Sequence, residues 1–182
     1  DLIHGFDSEV LKKLGAEFAY TMDGETLAHI EDETFSADGV TIDINGFSTH
    51  PGFAKDKMES AIKIASEVIA NLPKDHLSPE STEKKQGFIH PVAMSGTIEK
   101  VTLKFIIRDF ITAKLMEHEA VLKGITEKIV KKYSRSSFTF TVNEQYRNMK
   151  EVLDKYPHVA KYAVEALERT GLQPVLSSIR GG

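Results

Sequence analysis

Between Val40 and Val142 the sequence runs through alternating and helical hydrophobic periods in an order that few folds accommodate. Val40, Ile42 and Ile44 alternate with Thr41, Asp43 and Asn45. That is the two-residue period of a half-buried strand, and Asn45-Gly46 is a turn signal that ends it. Met58, Ala61, Ile62, Ala65, Val68, Ile69 and Leu72 then recur at helical spacing until Pro73 stops the run, which predicts one amphipathic helix. A polar loop from Lys74 to Gln86 leads to strands over 88–94 and 101–110, expected to pair as a hairpin. Leu115, Leu122, Ile125, Ile129 and Tyr133 predict a second helix, and Phe138, Phe140 and Val142 a last strand. The order β-α-β-β-α-β is that of the ferredoxin-like split unit, an antiparallel sheet with two helices on one face and the other face free. The expected class is therefore α+β, with this unit over residues 35–149.

The flanks read differently. Ala16 to Met22 is expected to be a short buried strand ending at Asp23-Gly24, Pro157 opens a helix that Gly171 closes, and Pro174 to Ile179 is strand-like. The apolar faces of these flanks have no partner in the central unit. Residues 1–34 and 150–182 are thus expected to belong together in a second domain into which the central unit is inserted. Asp1 stands where an initiator methionine would, so the chain reads as an internal piece of a longer protein.

Composition narrows the function. Hydrophobic residues at 41% and charged residues at 27% are a globular balance rather than a disordered one. No apolar run approaches the roughly 20 residues that span a bilayer, and Asp1-Leu2-Ile3-His4 lacks the layout of a signal peptide. No membrane partner is expected, and the absence of cysteine points to the cytoplasm and leaves only His, Asp and Glu as metal ligands. A net charge of -4 argues against nucleic acid. Lys128, Lys131, Lys132 and Arg135 read as a solvated helix end.

Three residues stand where chemistry is plausible. Asp23 follows an apolar run at a glycine turn, where Asp caps turns with its own carboxylate. It is also where open α/β sheets place metals, although one carboxylate does not hold zinc, which takes about four ligands. His50 lies in Ser48-Thr49-His50-Pro51-Gly52. A neutral imidazole in that turn can donate to a polarised carbonyl oxygen, and a solvated loop histidine is the bland alternative, as for His4, His29, His76, His90, His118 and His158. Arg108 is expected to point away from the helices, because Val101, Leu103, Phe105 and Ile107 occupy the other face of its strand. There it either clamps a carboxylate or pairs with Asp109 or a surface glutamate.

Three segments together, in order and spacing, resemble the peptidase T family of di-zinc exopeptidases. They are Tyr20-Thr21-Met22-Asp23-Gly24, Ser48-Thr49-His50-Pro51-Gly52 and Ile106-Ile107-Arg108-Asp109-Phe110. Tyr146-Arg147-Asn148-Met149 and Ile179-Arg180-Gly181-Gly182 fit the same family. The resemblance implies a zinc-dependent aminopeptidase that releases the N-terminal residue of tripeptides. In it Asp23 is a zinc ligand, His50 assists at the scissile carbonyl, Arg108 binds the peptide's free carboxylate, and Arg180 and Asn148 lie at the substrate site. It implies that the central unit is a substrate-covering lid, with a homodimer formed through it, and that the flanks are pieces of an α/β zinc-exopeptidase catalytic domain. Two zinc ions belong to the complete enzyme. With the other metal ligands expected beyond both ends, the isolated chain is expected neither to hold stoichiometric zinc nor to hydrolyse peptides.

Two other readings stand beside this one. A non-catalytic ferredoxin-like module sensing a small carboxylate through Arg108 fits the strand order, because one fold hosts many roles; the unpartnered flanks count against it. A modifier protein, prompted by the Gly-Gly end, has the wrong order of elements.

Overall fold

The computed structural model describes residues 12–24 and 26–180. Expectations touching His4, Gly181 and Gly182 lie outside the described residues. In chain order the elements are β1 (His29–Thr34), β2 (Ser36–Asn45), α1 (Ala61–Ala70), β3 (Phe88–Gly96), β4 (Lys100–Asp109), α2 (Ala113–Val130), β5 (Ser137–Tyr146), α3 (Lys150–Leu153), α4 (Pro157–Arg169) and β6 (Val175–Ile179). The chain is mixed α/β. Strands β2 to β5 form an antiparallel sheet in the order β3-β4-β2-β5, while β1 and β6 form a separate parallel pair.

The alternating run in β2 sets the core. Val40, Ile42 and Ile44 pair in register with Phe105, Leu103 and Val101 of β4, so all six side chains leave the same face of the sheet. They are buried against Ile64, Ala65 and Val68 of α1 and Leu115, Leu122 and Ile129 of α2. Each large aliphatic or aromatic side chain hidden this way contributes about 1.5–3 kcal/mol relative to exposure. Thr41, Asp43, Ile106 and Arg108 line the opposite face and remain half-buried. A small second cluster of Phe35, Phe88 and Phe110 with Ile106 covers one end of that face.

Helix α1 starts at Ala61, three residues later than the hydrophobic spacing predicts, because Phe47 and Glu59 exchange backbone hydrogen bonds of 2.8 and 2.9 Å in an extended bridge. Gly46 permits that bridge. A Cβ there would lie 2.4 Å from the Glu59 carbonyl oxygen, so the Asn45-Gly46 signal marks a close backbone approach.

The flanks correct one expectation. Ala16 to Met22 forms no strand, and its apolar side chains are exposed, Tyr20 by 50% and Met22 by 99%. The parallel partner of β6 is instead β1, a polar His-Ile-Glu-Asp-Glu-Thr segment without strand-like alternation. Phe18 and Tyr20 pack on α4 instead, edge-on to each other with centroids 5.7 Å apart. Phe18 also meets His158 and Tyr162, and Tyr20 Oη donates to the Val159 carbonyl at 2.6 Å. Helix α4 follows its signals, with Pro157 in its first turn and Gly171 at φ +82° after it.

Candidate functional site

The antiparallel register separates the predicted site residues into two groups. Arg108 pairs with Ala37 at the start of β2, and Lys100 pairs with Asn45 at its end. His50 follows that second end. Eight residues of strand at about 3.4 Å each put roughly 27 Å between the two ends of the sheet. Arg108 therefore lies at the end where the chain passes to β1 and α3, and His50 at the far one.

His50 is exposed, and its Nδ1 accepts a 3.1 Å hydrogen bond from the Gly52 N–H. With Nδ1 occupied as an acceptor, the neutral ring carries its proton on Nε2, which is free to donate outward. Pro51 opens a short 3₁₀ turn over Pro51–Phe53 that holds this geometry.

Arg108 departs from its paired alternative. Asp109 is held by His118 on the helix-covered face, with Nε2 2.9 Å from Oδ2. Among the described residues Arg108 makes no salt bridge, its Nε is buried without a hydrogen-bond partner, and its guanidinium carbon lies 5.8 Å from the Tyr146 ring centroid. His118 also corrects its reading as a solvated histidine, since it is buried. The signal was present: Leu115, His118 and Leu122 share the apolar stripe of α2.

Asn148 and Arg180 are engaged in joining segments. Asn148 is buried; its Oδ1 accepts from the Thr34 and Lys150 N–H groups at 3.2 and 2.9 Å, and its Nδ2 donates to the Phe110 carbonyl at 3.0 Å. Arg180 donates to the carbonyls of Lys84, Gln86 and Thr82 at 2.5, 3.1 and 3.3 Å and stacks over Phe35 at 5.2 Å. This ties β6 to the loop before β3. Asp23 is exposed, and among the described residues no three His, Asp or Glu side chains gather as a metal-binding group.

One titratable group escaped the sequence reading. On α2, burial and then the hydrogen bond and charge of Asp38 push the Glu119 carboxyl up to about 7, while Arg147 pulls the other way. Asp38 itself is buried and takes a 2.8 Å bond from Arg147, which also reaches Glu144 at 2.7 Å. Nothing in linear spacing links residues 38, 119 and 147; the sheet register brings them together.

Residues 33–137, more than half of the chain, match the peptidase dimerisation domain. The chain belongs to that family. In this peptidase dimerisation domain protein the match runs from the end of β1 to the first residue of β5. The chain is 40% identical over 178 residues to a peptidase T of Clostridium novyi, covering 98% of this chain and 44% of that protein. It is similar in structure to the aminopeptidase PepT of Bacillus cereus, with a TM-score of 0.75 at 24% identity over 98% of this chain and 47% of that one. A dinuclear metal-binding peptidase of Bacillus subtilis shares the fold at a TM-score of 0.54 and 15% identity, over 84% of this chain and 37% of that one. The chain thus spans less than half the length of these relatives.

Proposed function

We propose that the protein carrying this chain is a zinc-dependent aminopeptidase that releases the N-terminal residue of tripeptides. In this reading residues 35–149 form a ferredoxin-like lid over the substrate, and 1–34 and 150–182 belong to the catalytic domain. The strand order β3-β4-β2-β5 with α1 and α2 on one face supports the lid. The likeness to peptidase T supports the reaction. The observation that carries the site is Arg108, a half-buried guanidinium without an acidic partner among the described residues, placed where the lid meets the flanks. A planar guanidinium receives a peptide's terminal carboxylate through two parallel hydrogen bonds.

Asp23 alone does not fit a zinc ion, because the described residues offer no converging set of donors around it. It is assigned one ligand position, with the others supplied by parts of the protein beyond this chain. Zinc would supply the activated water and polarise the carbonyl. The chain's own residues do the rest: Arg108 fixes the carboxylate end of the peptide, and His50 Nε2 donates to the scissile carbonyl oxygen.

A tripeptide spans about 10 Å when extended, whereas Arg108 and His50 stand at opposite ends of one sheet. Both reach the same peptide when the lid pairs with a second copy and the partner's His50 serves the first copy's site, which accords with a dimerisation domain. The test is tripeptide hydrolysis by the full-length protein. Arg108→Ala and His50→Ala are each expected to lose at least a hundredfold in kcat/KM, and mixing the two inactive proteins to restore activity through mixed dimers. No hydrolysis by the folded, zinc-loaded parent would overturn the function; no restoration on mixing would overturn the sharing of His50 between copies.

A further inference from the structure

Arg108 and Tyr146 stand on β4 and β5, the two strands that flank β2, and both pair in register with Ala37. Directly paired residues project from the same face of a sheet. The two long side chains therefore lean over the small Ala37 between them, with the guanidinium carbon 5.8 Å from the Tyr146 ring centroid. Each also has a buried polar atom with no hydrogen-bond partner among the described residues, Nε of Arg108 and Oη of Tyr146. Buried donors are nearly always satisfied, so two orphans on touching side chains mark a place that something else completes. The neighbouring acids do not complete it. Arg147 holds Asp38 and Glu144, and His118 holds Asp109.

We propose that Tyr146 Oη is a second donor to the substrate's terminal carboxylate, beside Arg108; this rests on the reading that Arg108 meets that carboxylate. The phenol donates to one carboxylate oxygen and the guanidinium to the other. A C-terminal amide presents an NH2 group to one of two donors and leaves it unpaired, so the pair selects peptide acids over peptide amides. Tyr146 binds and discriminates; it takes no part in breaking the amide bond.

The test compares trialanine with trialanine amide in the full-length protein, as wild type, Tyr146→Phe and Arg108→Ala. Phenylalanine keeps the ring beneath the guanidinium and removes only the hydroxyl. The expected result for Tyr146→Phe is about a tenfold loss of kcat/KM for the acid, carried by KM with kcat retained, and no change for the amide. Equal losses on both substrates, or none on either, overturn the proposal. If Arg108→Ala erases the acid preference while Tyr146→Phe leaves it intact, the Tyr146 role falls and the Arg108 reading stands. If neither variant alters the preference, both fall.

Discussion

His118 Nε2 lies 2.9 Å from Asp109 Oδ2, with both side chains almost wholly buried between the end of β4 and the start of α2. The second oxygen of Asp109 accepts the Ile111 N–H at 2.9 Å, and Gly87 leaves the room, since a Cβ there would come within 2.2 Å of Oδ2. Removing the imidazole strands a buried carboxylate, which is costlier than losing a surface pair. His118→Leu is expected to lower stability by about 3 kcal/mol in urea unfolding. Asp109→Asn added to it should recover part of that loss. An unchanged unfolding midpoint in His118→Leu would show that the pair contributes nothing.

Glu119 makes stability fall as pH rises. Its folded-state value of about 7 lies above the unfolded 4.5. Folding therefore favours the protonated carboxyl, and the benefit, complete below about 4.5, is lost as pH climbs through about 7. The groups facing it are Asp38, which raises the value, and Arg147, which lowers it. The Tm is expected to drop between pH 5 and pH 8, and Glu119→Gln, which cannot ionise, to flatten that slope and stabilise the protein at pH 8. Parallel pH profiles for the two proteins would contradict this.

Asn148→Ala removes two acceptor contacts and one donor contact in a buried setting. A loss of about 2–4 kcal/mol is expected from the backbone groups left unpaired. Asn148→Asp retains the acceptors and should cost less. Thermal unfolding of the two variants ranks them directly.

Metal analysis of the isolated 182-residue chain, dialysed against micromolar zinc, is expected to find well under one ion per chain. One or more tightly held ions would mean that Asp23 has partners in this chain after all.

The central unit was legible because its strands bury one face only, and a one-sided strand writes its register into the sequence: Val40, Ile42 and Ile44 are all core. The flanks were less so. Strand β1 carries five charged or polar residues in six and is fixed by pairing with β6, a tertiary contact that no local period records. Conversely, Phe18-Ala19-Tyr20 looks like a strand and is instead a strip of rings laid on α4. Among the site residues, the strand period gave the outward face of Arg108, and the His-Pro-Gly turn gave the setting of His50. Their separation by the length of the sheet depends on antiparallel register, and Tyr146 enters only because β5 lies on the other side of β2.

Where the chain leaves β1 and where it returns after β5, it is bonded to itself. Thr34 N–H donates to Asn148 Oδ1 and Met149 N–H to Thr34 Oγ1, each at 3.2 Å, and Asn148 N–H reaches Ser36 Oγ at 2.9 Å. These bonds fasten the two crossings of the four-stranded unit side by side, and Arg180 adds a separate tie from the end of β6 to the loop before β3. Held at these crossings and again where Arg180 grips the loop before β3, the unit is braced at two places, so any tilt about Thr34 and Asn148 has first to release the Arg180 contacts.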